Sequence, residues 1–311
     1  MSIVPRDRIS GRVPEMGVLE KALKSPEPEF VAIYGRRRVG KTFLVREFFG
    51  DSICFELTGL HNASLSEQLD NFAEALGRAI GLGVTPRPPR SWQEAFAQLE
   101  RFLESSQASR NGTKRVVFLD ELPWLDTRRA KFCSALEHFW NTWASRRNDL
   151  ILVVCGSAAS WMIQNVVRAK GGLHNRVTRR IRLLPFTLAE TEALLQSRGV
   201  ELTRYQIVEL YMVLGGVPHY LREAEPGLST AQIVDRACFS HRTGLRKPDA
   251  EAYRAAAHAL GVGATEIVFV DDKARNLAAA ASVGMGTAPF RDADDLEANL
   301  VGLGLLEPTG A

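Results

Sequence analysis

Apolar residues along this chain recur with two spacings. Three short unbroken runs, Phe30-Val31-Ala32-Ile33-Tyr34, Val116-Val117-Phe118-Leu119 and Leu150-Ile151-Leu152-Val153-Val154, read as strands buried on both faces. Between them the spacing turns helical. Pro14 to Lys24 groups Val18, Leu19, Ala22 and Leu23 on one face, and Pro14 suits a first helical turn because its missing N–H costs nothing there. Further helices are expected over Lys41 to Phe49, over Leu65 to Ile80, and from a Ser91-Trp92-Gln93-Glu94 capping box to about Glu104. Ser25-Pro26-Glu27-Pro28 breaks the first helix, and Thr85-Pro86-Arg87-Pro88-Pro89-Arg90 reads as a stiff linker. Glu190 to Leu195, Arg204 to Leu214 and Thr230 to Cys238 form a helical group of the size of a small lid, and no internal repeat is found. Buried strands alternating with helices imply an α/β fold with a parallel sheet covered on both faces.

Composition narrows this picture only a little. The 311 residues are 45% hydrophobic and 24% charged. That is the profile of a globular chain of about two domains, neither disordered nor of low complexity. No apolar run approaches the roughly 18 residues of a membrane span, and Met1 to Arg8 lacks the apolar stretch of a secretory signal, so a cytoplasmic protein is expected. Cys54, Cys133, Cys155 and Cys238 lie far apart, which argues against a metal site or a disulfide framework. The net charge of +3 is too small to assign a nucleic-acid partner. It is also unevenly spread, since the Ala-rich stretch from Leu245 onward carries six Lys and Arg against ten Asp and Glu. The chain thus reads as two pieces of different character.

The chemistry sits at the strand ends. Gly35-Arg36-Arg37-Arg38-Val39-Gly40-Lys41-Thr42 fits G-x-x-x-x-G-K-[ST], directly after one expected strand and opening an expected helix. The glycines free the backbone N–H groups to wrap phosphates, and the helix N-terminus adds positive potential. Lys41 would reach the β- and γ-phosphates of ATP, and Thr42 would offer its hydroxyl to Mg²⁺. Arg36, Arg37 and Arg38 bias that face toward polyanions. About 80 residues further on, the second strand ends in Asp120-Glu121, with Asp120 suited to the Mg²⁺ shell and Glu121 to orienting or deprotonating the attacking water. The third strand ends in Cys155-Gly156-Ser157, where Ser157 would either contact the γ-phosphate or its water, or merely cap the next segment. Arg176 would serve either as an arginine finger or as part of a solvated basic loop.

Together these residues resemble the archaeal-type ATPases of the STAND/AAA-like P-loop class, over about residues 9–240. The resemblance takes in Gly11, Arg12 and Glu15, the phosphate loop, Leu119-Asp120-Glu121-Leu122-Pro123, and Cys155-Gly156-Ser157 with Trp161-Met162. It continues through Arg176, then Pro185-Phe186 with Glu190, and Gly215-Gly216-Val217-Pro218-His219-Tyr220. It implies a P-loop sheet with flanking helices over 1–185 and a helical lid over 186–240, with Pro218 near the base or sugar of the nucleotide. It also implies slow, switch-like ATP hydrolysis, an unidentified protein partner and nucleotide-dependent assembly. One alternative is a nucleotide-binding module without appreciable turnover, and a less favoured one is a phosphatase built on the segment beyond Ser240.

Beyond Ser240 the pattern changes. Lys247-Pro248-Asp249, Ile267-Val268-Phe269-Val270-Asp271-Asp272, Ala274-Arg275-Asn276 and Gly284-Met285 resemble the C-terminal half of a haloacid dehalogenase-like hydrolase. The resemblance implies a partial Rossmann-like segment over 241–311, with Lys247 neutralising phosphate and Asp271 and Asp272 holding Mg²⁺. No Asp-x-Asp precedes it to supply the nucleophile, so no phosphoaspartyl intermediate and no phosphatase activity are expected.

Overall fold

The computed structural model describes residues 9–81, 83, 85–105, 114–127, 130–167, 176–237 and 247–302. Its contacts divide the chain into two units, Met1–Arg222 and Glu223–Ala311.

In the first unit, β1 (Glu29–Tyr34), β2 (Ile53–Thr58), β3 (Arg115–Asp120), β4 (Leu150–Gly156) and β5 (Arg179–Arg182) form one parallel sheet in the order β2-β3-β4-β1-β5. The helices are α1 (Val13–Lys24), α2 (Lys41–Phe49), α3 (Leu65–Ile80), α4 (Trp92–Glu104), α5 (Leu122–Leu125), α6 (Phe132–Thr142), α7 (Ala159–Met162), α8 (Leu188–Ser197), α9 (Arg204–Leu214) and α10 (Pro218–Leu221). Alternate strand residues feed two cores. Val31, Ile33, Val116, Phe118, Ile151 and Val153 pack with Leu19 and Ala22 of α1 and Leu44, Val45, Phe48 and Phe49 of α2. Phe30, Ala32, Val117, Leu119, Leu152 and Val154 pack on the other side with α3, α4 and α6. There Trp92 meets Phe132 edge-on with ring centroids 4.7 Å apart, and Phe96 stacks on Phe139 at 5.0 Å. Covering on both faces is why the central strands are continuously apolar.

The expected helices and strands are found, and the structure adds elements that periodicity did not reveal. β2 and β5 are edge strands that bury one face only, so each shows few inward apolar residues: Phe55 and Leu57 in β2, Ile181 alone among three arginines in β5. The Ser91 box is half made. Ser91 Oγ accepts the Glu94 N–H, but the Glu94 carboxylate takes the N–H of Arg90 instead. Full capping boxes open α3 (Ser64, Glu67), α8 (Thr187, Glu190) and α9 (Thr203, Gln206).

The second unit contains helices Thr230–Ala237, Ala250–Leu260, Ala274–Ser282 and Ala293–Gly302, and a two-stranded parallel sheet of β6 (Val268–Asp271) and β7 (Gly286–Pro289). Its core is small, built on Tyr253, Ala257, Ala280 and Met285. Cys238, the expected end of the first of these helices, lies outside the described residues, as do Met1 to Arg8 and Gly244 to Arg246. Cys54, Cys133 and Cys155 are free thiols. No helix among the described residues is long and apolar enough to cross a membrane.

Candidate functional site

Strand order brings the site together. β1, β3 and β4 are parallel, so Gly35, Asp120 and Ser157 all emerge at the carboxyl edge of the sheet, with β4 lying between the other two. The loop from Gly35 folds back into α2 through left-handed residues, Arg38 at φ 68° and Gly40 at φ 93°. Lys41 is buried, and its Nζ donates to the carbonyls of Gly35 and Arg36, each at 3.0 Å. Burial pushes the Lys41 ammonium below its usual range, opposed by attraction to Glu121, Cys155 and Asp120.

Thr42 Oγ1 donates to Asp120 Oδ2 at 2.6 Å, and the Glu121 N–H donates to Asp120 Oδ1 at 2.9 Å. Asp120 is 3% exposed, and burial raises its carboxyl above the ordinary range, against the hydrogen bond from Thr42 and the attraction of Lys41. A buried carboxylate short of compensating charge, beside a hydroxyl, is a hard-oxygen pair that fits Mg²⁺, an ion that takes its remaining ligands from water and phosphate. Among the described residues no cluster of three or more His, Cys, Asp or Glu forms a closed metal cage.

Glu121 begins α5 with a left-handed backbone, φ 47°. Its Oε2 accepts both the N–H and the hydroxyl of Ser157, at 3.1 and 2.7 Å. Ser157 therefore holds the carboxylate beside Asp120. Gly156 is required for this packing, since a Cβ there would stand 2.6 Å from the Met162 side chain and 3.0 Å from Pro123. Pro123, Gly156 and Met162, from three of the motifs read in the sequence, thus pack against one another.

A cavity of about 630 Å³ opens on the loop. Arg37, Arg38, Val39, Gly40, Lys41 and Thr42 form one wall, and Glu121 and Trp124 another. Ile9, Phe43, Phe186, Leu194 and Pro218 give it an apolar end. Among the lining residues Arg12, Arg37, Arg38, Lys41, Arg198 and Arg222 face a single carboxylate, Glu121, so the cavity favours anions. Gly35 and Arg36 belong to the loop but do not line the cavity, and Asp120 and Ser157 reach it through Thr42 and Glu121.

One expected residue lies elsewhere. Arg176 is exposed and precedes β5 by three residues. The Thr178 N–H bonds the Phe30 carbonyl near the start of β1, whereas the Leu183 N–H bonds the Tyr34 carbonyl at its end. Arg176 thus stands at the amino edge of the sheet, about 15 Å of strand away from the phosphate loop. Arg176 is not among the residues that line the cavity at the loop.

The structure also gives Arg12 a role that spacing could not show. Its backbone N–H bonds Glu190 Oε1 at 3.0 Å, its guanidinium donates to the Val39 carbonyl at 3.1 Å, and it lies 4.5 Å over the Phe186 ring. Arg12 is buried and braces the phosphate loop against the segment after β5. The family resemblance included Arg12 and Phe186, which the fold brings into contact although 174 positions separate them.

In the second unit, Asp271 Oδ1 accepts from the Lys273 N–H and from Asn276, both at 2.9 Å, and Lys247 Nζ lies 3.3 Å from Asp271 Oδ2. Burial would raise this carboxyl, but those donors hold it below its usual range. Lys247 and Asp271, two of the residues that carry the hydrolase resemblance, are thus side by side.

The model of an ATPase domain found predominantly in Archaea matches residues 10–224. This chain belongs to that family. A second model, of haloacid dehalogenase-like hydrolases, matches residues 173–284. The shared stretch is built almost wholly into the first unit, where β5 pairs with β1 and α8 to α10 follow. An uncharacterised protein of Methanocaldococcus jannaschii is 25% identical over 219 residues, covering 69% of this chain and 43% of that protein. A chloroplast flavin mononucleotide hydrolase of Arabidopsis thaliana is 40% identical over 62 residues, 20% of this chain and 25% of that enzyme. The chain spans less than half the length of these curated relatives. Among solved structures, the Walker-type ATPase of Pyrococcus abyssi shares the fold, with a TM-score of 0.56 at 18% identity, over 82% of this chain and 79% of that one.

Proposed function

We propose that this protein binds ATP with Mg²⁺ and hydrolyses it slowly to ADP and phosphate, as a regulatory switch. The observation that carries this reading is the meeting of Lys41, Thr42, Asp120, Glu121 and Ser157 at one sheet edge, with Thr42 and Asp120 joined at 2.6 Å. Loop N–H groups and the N-terminus of α2 receive the phosphates. Lys41 exchanges its two loop carbonyls for phosphate oxygens, which favours the charged ammonium. Thr42 and Asp120 would hold Mg²⁺, whose role is to neutralise charge on the phosphates. Glu121, fixed by Ser157, orients the attacking water and accepts its proton. Phe186 and Pro218 offer an apolar surface to the base or sugar.

Slow turnover follows from the place of Arg176. A finger contributes about 10³–10⁵ in rate, and the chain's own Arg176 does not reach the loop. Assembly that presented Arg176 from a second copy would supply one, which is how nucleotide-dependent oligomerisation or a protein partner would switch the rate. In the second unit, Lys247 and Asp271 form a phosphate-binding half without an Asp-x-Asp nucleophile ahead of it, so phosphomonoester hydrolysis is not part of this function.

The test is Mg²⁺-dependent ATP turnover by the full chain beside Lys41→Ala and Glu121→Gln. Lys41→Ala should lose nucleotide binding, while Glu121→Gln should bind ATP yet turn over at least about 100-fold more slowly. ATP binding that is indifferent to Lys41→Ala, or turnover indifferent to Glu121→Gln, would overturn the assignment.

A further inference from the structure

The phosphate chemistry needs the loop's N–H groups, Lys41 and Thr42, and asks nothing of Arg38 beyond its charge. Yet Arg38 holds a left-handed backbone, φ 68°, a conformation that glycine adopts freely and other residues seldom do. Its guanidinium crosses to the lid instead. Nη1 donates to the hydroxyl of Tyr220 at 2.8 Å, and Cζ lies 5.4 Å from the centre of that ring. Tyr220 sits on α10, two residues beyond Pro218, and both Arg38 and Pro218 line the cavity.

Two further bonds hold this segment to its own side of the molecule. The Phe186 N–H bonds the Gly216 carbonyl at 2.8 Å, and Arg198 bonds the Arg222 carbonyl at 3.0 Å. The Arg38–Tyr220 bond spans 182 positions of sequence and joins the phosphate loop to α10 beside the cavity that Arg38 and Pro218 line. Both side chains are half-buried, and the bond has one charged partner, so it is neither fully screened nor permanently locked.

We propose that Arg38 and Tyr220 form a latch that retains the bound nucleotide and sets its rate of release. Arg38 is here a positioning residue that acts through Tyr220, and the proposal rests on the reading that the cavity holds ATP. Release requires α10 to part from the loop, and this hydrogen bond must break for it to do so. The latch also gives the switch a handle, because any partner that engages Tyr220 would loosen the nucleotide without touching the phosphates.

The experiment is stopped-flow release of a fluorescent N-methylanthraniloyl-ADP from the full chain, chased with excess unlabelled ATP. Tyr220→Phe removes only the hydroxyl and keeps the ring. It should release nucleotide about five- to tenfold faster, the worth of one half-buried hydrogen bond to a charged group, with the association rate unchanged. Arg38→Met, which also takes a charge from the cavity wall, should release nucleotide at least as fast, and adding Tyr220→Phe to it should accelerate release no further. Unaltered release in Tyr220→Phe, or single effects that multiply in the double variant, would overturn the latch while leaving the ATP reading intact. A wild-type protein that takes up no labelled nucleotide would overturn both.

Discussion

Gly215 and Gly216 are adjacent and have nearly the same φ, 63° and 65°, but differ in the space around them. A Cβ on Gly215 would meet nothing within 4 Å. A Cβ on Gly216 would stand 2.2 Å from the Phe186 carbonyl oxygen and 2.6 Å from Tyr211 Cε2. Alanine at either position incurs the left-handed cost of about 1–2 kcal/mol. At Gly216 the overlap adds about 1–3 kcal/mol, because one contact is backbone and that backbone is tied to the Gly216 carbonyl by the Phe186 N–H. The first unit melts with a slope of roughly 2–4 °C per kcal/mol for its size. Gly215→Ala should therefore lower the melting temperature by about 2–8 °C, and Gly216→Ala by about 4–20 °C. Phe186 and Pro218 flank the strained turn and line the cavity, so Gly216→Ala should also weaken binding of fluorescent ATP, while Gly215→Ala should leave it close to wild type. Scanning calorimetry and equilibrium titration of both variants decide it. Equal destabilisation, or equal loss of nucleotide binding, would refute the reasoning that the approach of Gly216 to Phe186 positions the lid.

Ser157→Ala removes one of two hydrogen bonds to Glu121 Oε2 and leaves the backbone N–H in place; turnover should fall about tenfold with nucleotide affinity unchanged, and an unaltered rate in a steady-state phosphate-release assay would count against Ser157 as the group that holds Glu121. At the opposite edge of the sheet, burial would raise the Glu29 carboxyl, but hydrogen bonds from Arg179 (2.7 Å) and Thr178 and the charge of Arg179 hold it below its usual range. Since its folded value lies below its unfolded one, its stabilisation is complete above the unfolded value and is lost as pH falls through the folded one. Glu29→Gln should thus be less stable than wild type at pH 7 by about 1–2 kcal/mol, with the gap closing on acidification. Melting curves that stay parallel down to low pH would rule out this origin of acid sensitivity.

What the sequence by itself determined is local. The phosphate loop was legible because strand, glycine turn and helix start are consecutive, and its geometry is set by residues 35–42. Asp120 and Glu121 were legible because a fully buried strand is continuously apolar and its charged end stands out. The cover on both faces followed from the same runs. In the second unit, Lys247 and Asp271 were recognisable from short segments whose order along the chain carries the pattern.

What only the tertiary structure decided depends on which strand lies beside which. β5 has one buried residue among arginines, so nothing in its sequence announced that it pairs with β1, yet that pairing carries Arg176 to the edge remote from the loop. β4 lies between β1 and β3, and this alone lets Ser157 reach Glu121. Arg12 with Val39 and Glu190, and Arg38 with Tyr220, are pairs separated by 27, 178 and 182 positions. Residues so far apart meet only after the sheet has closed and the segment after β5 has folded back over the loop. Propensity and periodicity describe a chain's neighbours along the backbone, whereas these contacts are fixed by packing across it.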